Sequence, residues 1–249
     1  MTPEAMVVDV SQDWVVACEI QERFMESPHA PTQILQYHAQ CRQMRALGGD
    51  CFDFLPLPGR RVAVMVADAS GKGLPAALIM ANVQSSLRTA AWFAPDDAAA
   101  VVTAVNRQLH ASSQPDRYAT LFFGVFDEET RSLQYVNAGH HPPTILGEDG
   151  SRIRLENGGP PVGLFADAVY DAHTVRLSPG DLIVACTDGV VEAADAFGEE
   201  WGVQGLLTAV AGCPIRQPDR IVQAAFDALD AFSGDQQTDD ATILAALVG

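Results

Sequence analysis

Apolar residues recur at two different spacings along the chain, and these spacings predict its helices and strands. Val16, Ile20 and Phe24 stand four residues apart within residues 11–25, which predicts a helix there. Similar spacing predicts further helices at residues 75–92, 95–112 and 219–232. Short Val-rich or alternating runs predict strands at residues 62–68, 118–126, 133–137, 144–146, 173–177, 182–187 and 242–248, after an extended segment at 34–44.

The order of these elements indicates an α+β fold. Helices come in blocks between runs of strands, without regular βαβ alternation, and this favours antiparallel sheets covered by helices. The chain contains no internal repeat, low-complexity segment or evident linker, so we expect one domain spanning residues 1–249. For the apolar stripe of helix 11–25, packing against the core is the default role. A regulatory or dimer-forming helix, and with it a homodimer, is the alternative.

Composition narrows the classes of partner. Hydrophobic residues make up 48% of the chain, enough for a sizeable core. The 15 basic and 32 acidic residues give a net charge of −17, which argues against nucleic acid and against an anionic membrane surface. The five cysteines include no C-x-x-C pair, which argues against a zinc ribbon. The N-terminus lacks secretory features, and no apolar stretch approaches the roughly 20 residues of a membrane span. We therefore expect a cytoplasmic protein.

The chain also carries four short acidic stretches beside glycines or apolar runs. They read GGDCFDF (48–54), VADASGKG (66–73), CTDGVVE (186–192) and TDDAT (238–242). Carboxylates delivered from several strand ends, without cysteine or histidine motifs, are typical of sites for hard divalent cations. The separation of Asp50 and Asp68 suits two adjacent strands joined by the turn at 56–60. Four such carboxylates could hold two cations and activate a water for in-line attack on phosphorus.

Taken in order, these motifs resemble a known family. The series GGD-x-x-D, D-x-SGKG-x-PAAL, NAGH-x-P, GGPPVG, TDGV-x-E and DDAT is similar to that of the PP2C-like bacterial serine/threonine phosphatases of the SpoIIE/RsbU type, over about residues 15–248. The resemblance implies a four-layer α-β-β-α sandwich of antiparallel sheets flanked by helices. It also implies two Mn²⁺ or Mg²⁺ ions at one edge of the sandwich.

The same resemblance implies a set of site residues. Metal ligands would come from the side chains of Asp50, Asp68, Asp188 and Asp239 and from the backbone carbonyl of Ala69. The resemblance further implies that no side chain acts as the nucleophile and that a metal-bridging hydroxide would attack the phosphorus of phosphoserine or phosphothreonine. Residues expected to support the ligands from around them are Asp53, Gly71, Gly189 and Asp240.

The implied partner is a phosphorylated regulatory protein, since the substrates of this family are typically anti-sigma-factor antagonists. Two alternatives remain open. One is a pseudophosphatase that keeps the fold and only binds its partner. The other is a nucleotide cyclase, because GGDCF matches the GGDEF signature at four of its five positions.

Several neighbours of the motifs receive simpler interpretations. Strand alternation predicts that Asp240 faces outward beside Asp239. Lys72 is assigned to a turn, because the glycine that a phosphate-binding loop requires is replaced by Val66. His140 is expected to form a turn with the prolines that follow it.

Overall fold

The computed structural model describes residues 10–25, 32–114, 116–234 and 237–249; the rest of the predicted domain, including residues 1–9, lies outside them. The helices are α1 Val10–Met25, α2 Leu74–Phe93, α3 Ala98–Ser112, α4 Asp188–Val191, α5 Gly202–Gly212 and α6 Pro218–Ser233. The strands are β1 Leu35–Arg42, β2 Asp50–Leu57, β3 Arg61–Ala69, β4 Ala119–Asp127, β5 Ser132–Ala138, β6 Thr144–Leu146, β7 Arg152–Arg154, β8 Gly158–Gly159, β9 His173–Arg176, β10 Leu182–Cys186 and β11 Ala241–Val248. Within these ranges, no helix is long and apolar enough to cross a lipid bilayer.

The strands form two sheets that pack face to face. One has the order β1-β11-β10-β6-β7, and the other has the order β2-β3-β4-β5-β8, with β9 also paired to β5. Neighbouring strands are antiparallel, apart from the short pairing of β5 with β8. Apolar side chains such as Phe54, Phe122 and Leu244 fill the space between the sheets.

Helices cover the outer faces of both sheets. A second core joins α2 and α3 to the sheet of β2–β5, with Val83, Val102 and Phe123 among its buried residues. A third core joins α5 and α6 to the other sheet through side chains such as Leu206 and Phe226. This arrangement confirms the expected α+β class and its order of layers, helix–sheet–sheet–helix.

The hairpin of β2 and β3 places the first two acidic stretches side by side. Its turn contains Gly59 and Arg60, and both have positive φ. A two-residue turn of this kind has a backbone twist that matches the right-handed twist of the two strands. The resulting register pairs Asp50 directly with Asp68. The predicted adjacency of these two carboxylates is thus confirmed.

Three helical regions differ from the sequence prediction, the first being the short α4, which was not predicted after the strand at residues 182–187. The helix predicted to begin at Pro95 begins at Ala98, and Asp97 caps it by accepting a hydrogen bond from the backbone N–H of Ala100 at 2.9 Å. The sequence interpretation also missed α5, whose glycines lower its intrinsic helix propensity. Packing against α6 and β10 stabilises α5 instead.

Helix α1 forms where apolar spacing predicts it, but its stripe does not pack as expected. The side chains of Val16 and Ile20 are 47% and 50% exposed, so the default role of core packing is wrong for both. The helix contacts the domain through Gln21 and through the backbone carbonyl of Phe24, which accepts a hydrogen bond from Gln84 at 2.8 Å.

Candidate metal centre

The four acidic stretches meet at one edge of the two sheets. Asp50 begins β2 and Asp68 lies at the end of β3, while Asp188 follows β10 and Asp239 precedes β11. Asp50, Asp188 and Asp239 all act electrostatically on the carboxyl group of Asp68. The side chains of Asp50, Asp68, Asp188 and Asp239 are called the acidic edge below.

Asp50 forms the buried floor of the acidic edge. Its side chain is only 1% exposed, and its Oδ2 accepts hydrogen bonds from the hydroxyl groups of Thr187 and Thr242, both at 2.7 Å. Thr187 follows β10 and Thr242 lies in β11, so these bonds join the two sheets beneath the site. Both threonines lie inside the TDG and DDAT motifs, which is the signal by which the sequence could have identified them.

The four carboxyl groups of the acidic edge repel one another when they are charged, and burial and this repulsion together raise the pKa values of three of them. Burial, followed by repulsion from Asp50, Asp188 and Asp239, raises the pKa of Asp68 to about 9. Burial also raises the pKa of Asp50 to about 7, although the two threonine hydroxyl groups favour its charged form. Partial desolvation and the charge of Asp239 raise the pKa of Asp188. The donor set consists of carboxylate oxygens, the ligands that Mg²⁺ and Mn²⁺ prefer.

These pKa shifts predict a pH dependence for the metal-free protein. Asp68 titrates near its ordinary pKa of about 4 when unfolded but near 9 when folded, so folding takes up a proton between these values. The free energy of unfolding therefore falls as the pH rises through this window. Thermal unfolding in EDTA should show a midpoint that decreases between pH 6 and about pH 9.

The Asp68→Asn variant is the control for this pH dependence. Asparagine does not titrate, so the slope between pH 6 and pH 9 should be shallower than in the wild type. Equal slopes for the two proteins would show that the shift at Asp68 has no part in the stability profile.

Asp239 and Lys72 form an ion pair at the rim of the acidic edge. The ammonium group of Lys72 lies 2.6 Å from Oδ2 of Asp239 and donates a hydrogen bond to the carbonyl of Thr238 at 3.1 Å. Lys72 therefore does more than complete a turn. In this arrangement, no group of three or more histidine, cysteine, aspartate or glutamate side chains among the described residues is placed to hold a metal ion.

Asp240 does not face outward, contrary to the sequence prediction. Its side chain is buried and accepts hydrogen bonds from the backbone N–H groups of Met44, at 2.8 Å, and Gly49, at 2.6 Å. The prediction failed because β11 begins at Ala241, so strand alternation does not apply to the residue before it. Asp240 instead holds residues 44–50, which we call the GGD loop.

Asp53 supports helix α2 and not the acidic edge. It lies three residues after Asp50 on β2, so its side chain points to the opposite face of the sheet. There it is fully buried, 2.6 Å from Nε of Arg88, and accepts a hydrogen bond from Gln84 at 3.3 Å. Both partners belong to α2, so Asp53 ties that helix to β2.

The glycines beside the acidic edge permit close approach of the backbone. A Cβ atom on Gly189 would lie 1.9 Å from the carbonyl oxygen of Asp240 and 3.2 Å from Cβ of Asp239. Gly71 has a φ of 96°, a conformation that side chains disfavour. The backbone N–H of Ala69 donates to the carbonyl of Gly49 at 3.0 Å, which joins the end of β3 to the GGD loop.

His140 is a buried neutral group beneath the site and not a simple turn residue. Its Nδ1 lies 2.8 Å from the hydroxyl oxygen of Thr120, the residue that pairs with Asp68 across β3 and β4. Burial lowers the pKa of His140 to about 3. The uncharged imidazole therefore supports the strand pair from below.

Solved structures with the same architecture identify the fold. The SiaA-PP2C domain of Pseudomonas aeruginosa has a TM-score of 0.82 over 96% of each chain, at 18% identity. The catalytic domain of the serine/threonine phosphatase PstP, solved in complex with two manganese ions, has a TM-score of 0.64 over 86% of this chain and 98% of its own, also at 18% identity. At such identities the likeness shows the fold alone, which is the PP2C-like phosphatase fold.

Sequence comparison then identifies the family. A family model described as "Stage II sporulation protein E (SpoIIE)" matches residues 58–248, and the chain belongs to this family. It is 29% identical to protein IcfG of Synechocystis, over 91% of this chain and 40% of IcfG. It is 24% identical to the phosphoserine phosphatase RsbU of Bacillus subtilis, over 95% of this chain and 70% of RsbU. The resemblance drawn from the motifs is thereby confirmed, and the cyclase alternative is not favoured.

Proposed function

We propose that the protein is a metal-dependent phosphatase that hydrolyses phosphoserine or phosphothreonine on a regulatory protein. The observation that carries the proposal is the convergence of Asp50, Asp68, Asp188 and Asp239, whose combined charge and burial raise the pKa of Asp68 to about 9. Such a group of carboxylates is stabilised when cations neutralise it. The membership in the SpoIIE family and the PP2C-like fold support the same conclusion.

The cofactors in this proposal are two Mn²⁺ or Mg²⁺ ions. The side chains of the acidic edge and the backbone carbonyl of Ala69 would hold them, since all of these donors are oxygens. The related fold of PstP, which was solved with two manganese ions, supports the stoichiometry. When bound, such ions supply an activated water for in-line attack and neutralise charge that develops on the phosphoryl oxygens.

The surrounding residues fix where the ligands stand. Thr187 and Thr242 hold the carboxylate of Asp50 from β10 and β11. Asp240 holds the GGD loop through two backbone N–H groups. With these bonds made, Asp50 has little freedom to turn away from Asp68, and metal binding costs less conformational entropy.

Three cationic side chains around the turn at Gly71–Gly73 are placed to bind the phosphate group of a substrate. A Cβ atom on Gly73 would lie 3.5 Å from Nη1 of Arg45, and one on Gly71 would lie 3.1 Å from Nη1 of Arg117. Lys72 lies between them and pairs with Asp239. Because the chain has a net charge of −17, a substrate phosphate should bind more favourably at this local group of cations than elsewhere on the protein surface.

Replacing Arg45 should weaken substrate binding more than metal binding. Arg45 is exposed, and among the described residues it forms no salt bridge, so its guanidinium is available to a phosphate. A charged hydrogen bond contributes about 1.5–3 kcal/mol, so Arg45→Met should raise KM for a phosphoserine peptide roughly tenfold or more. The Mn²⁺ concentration for half-maximal activity should stay near that of the wild type.

Arg220→Met is the matched control for Arg45→Met. Arg220 lies in the first turn of α6, outside the acidic edge and the turn at Gly71–Gly73, with its side chain 62% exposed. KM should be unchanged in this variant. If KM also stayed unchanged in Arg45→Met, the assignment of Arg45 to phosphate binding would be wrong.

The substrate in this proposal is a phosphorylated anti-sigma-factor antagonist or a protein of similar type. The similarity to the phosphoserine phosphatases RsbU and RsbP supports a phosphoserine protein as the substrate.

The remaining parts of the proposal are a single domain over residues 1–249, a cytoplasmic location and a homodimer. The exposed apolar side chains on α1, among them Trp14, Val15 and Ile20, support the homodimer.

Hydrolysis assays test the proposal directly. The protein should release phosphate from p-nitrophenyl phosphate and from a phosphoserine peptide when Mn²⁺ or Mg²⁺ is present, and EDTA should abolish both reactions. A pseudophosphatase would bind the metal or the phosphopeptide without turnover. Consumption of GTP by the same preparation would support the cyclase in its place.

A further inference from the structure

The GGD loop is held by side chains from distant parts of the chain and has no room for a side chain at Gly48 or Gly49. A Cβ atom on Gly48 would lie 2.6 Å from Oδ2 of Asp240. One on Gly49 would lie 3.1 Å from Cβ of Ala76 and 3.2 Å from the carbonyl oxygen of Ala69. The loop leading to Asp50 therefore needs bare backbone at both positions, and its place must be fixed from outside.

Gln21 of α1 supplies one of these external contacts. Its Nε2 donates to the carbonyl of Gly48 at 2.8 Å, and its Oε1 accepts from the N–H of Gly48 at 3.0 Å. The same Oε1 accepts from Nε2 of Gln43 at 3.0 Å. The Gln21 side chain is only 8% exposed, so water competes little for these bonds. One planar amide thus satisfies both backbone groups of a single residue.

Gly49, the residue after Gly48, connects the contacts of Gln21 to the acidic edge. The N–H of Gly49 donates to Asp240, and its carbonyl accepts from the N–H of Ala69. Gln21 and Asp240 therefore fix successive residues of the GGD loop, immediately before Asp50. We propose that Gln21 is a positioning residue for the metal centre, which holds Asp50 in place through the backbone of Gly48. This inference rests on the proposed function.

The position of α1 does not depend on Gln21 alone. The carbonyl of Phe24 accepts a hydrogen bond from Gln84 of α2, and Met25 packs against the buried cores. Loss of the Gln21 amide should therefore loosen the GGD loop while the helix stays attached. This difference separates a positioning role from simple anchoring of α1.

Gln21→Met tests the proposal, because methionine is close in size to glutamine but lacks the amide. Hydrogen exchange of the metal-free protein should show faster exchange for the amides of residues 44–50. Titration calorimetry should show a Kd for Mn²⁺ raised about tenfold, as for loss of other groups that orient metal ligands. The kcat for p-nitrophenyl phosphate at saturating Mn²⁺ should change much less than the Kd.

Gln12→Met is the matched control, since Gln12 is an exposed residue of the same helix. It should leave both the exchange of the GGD loop and the Kd for Mn²⁺ unchanged. Gln21→Asn keeps an amide that is too short to reach Gly48, and it should reproduce the effects of Gln21→Met. Should Gln21→Met fail to fold, Gln21→Asn decides the question by the same two measurements.

The proposal is overturned if both Gln21 variants match Gln12→Met in loop exchange and in Mn²⁺ affinity. Failure of the proposed function has a different signature, because the wild type itself would then neither bind Mn²⁺ nor hydrolyse phosphate esters. Loop exchange would still show in that case whether Gln21 holds the backbone of Gly48.

Discussion

Asp68→Asn should abolish metal-dependent hydrolysis while raising the stability of the metal-free protein. Asp68 receives repulsion from the other carboxylates of the acidic edge, and burial and this repulsion raise its pKa to about 9. Asparagine is neutral in both the folded and the unfolded protein, so the variant does not lose the free energy needed to protonate Asp68 on folding at pH 8. The midpoint of thermal unfolding in EDTA should therefore rise at this pH. Loss of groups that merely orient ligands costs about 10–100-fold in affinity or activity, so loss of a ligand should exceed about 100-fold.

The opposite directions of these two effects make the experiment specific. A variant that lost activity through unfolding would also lose stability. Asp219→Asn, at an exposed position in the first turn of α6, should leave activity unchanged and should not raise the midpoint, because it removes an ion pair with Arg220 and a favourable charge at the helix N-terminus. Retention of wild-type activity and Mn²⁺ affinity in Asp68→Asn would exclude Asp68 from the ligand set.

Gly189→Ala should have the second large effect on activity. The new Cβ would lie 1.9 Å from the carbonyl oxygen of Asp240, a distance at which the backbone must move. Movement of Asp240 would draw its carboxylate away from the GGD loop and separate Asp188 from Asp239. We expect kcat/KM to fall by more than about 100-fold, with a loss of about 1–3 kcal/mol in the free energy of unfolding.

Gly212→Ala provides the matched control for this substitution. Gly212 is the last residue of α5, and a Cβ there would meet no atom within 4 Å. Alanine also favours the helix, so stability should stay the same or rise slightly. Activity assays and urea unfolding measure both variants. Wild-type activity in Gly189→Ala would show that the contact between the TDG and DDAT stretches is not needed.

Local sequence patterns predicted most helices and strands of this fold and the pairing of Asp50 with Asp68. That pairing was accessible because one short turn joins β2 to β3, so the register depends on neighbouring residues. The order of helices and strands likewise indicated the α+β class. Helix α5 was missed because packing, and not propensity, stabilises it.

Contacts between distant segments could not be predicted in the same way. Asp240 holds the backbone of Gly49, and Lys72 pairs with Asp239. The partners in both contacts are far apart in the sequence, so the spacing of nearby residues does not predict them. Gln21 reaches Gly48 from a helix whose periodicity pointed to a different face. These contacts depend on how the two sheets and α1 pack together. The pattern of apolar residues predicts the helices and strands but not the details of their packing. The sequence therefore identified the candidate ligands and, through the family resemblance, Asp240 as a supporting residue, but it did not identify Thr187, Thr242 or Gln21.

The most direct test of the metal centre is anomalous X-ray diffraction from crystals of the protein grown with Mn²⁺. We expect two manganese peaks at the acidic edge, within bonding distance of oxygens from Asp50, Asp68, Asp188 and Asp239. Crystals of Asp68→Asn grown in the same way should lose at least one of these peaks. Manganese bound elsewhere on the wild-type protein, or no manganese at all, would contradict a two-metal phosphatase site at this edge.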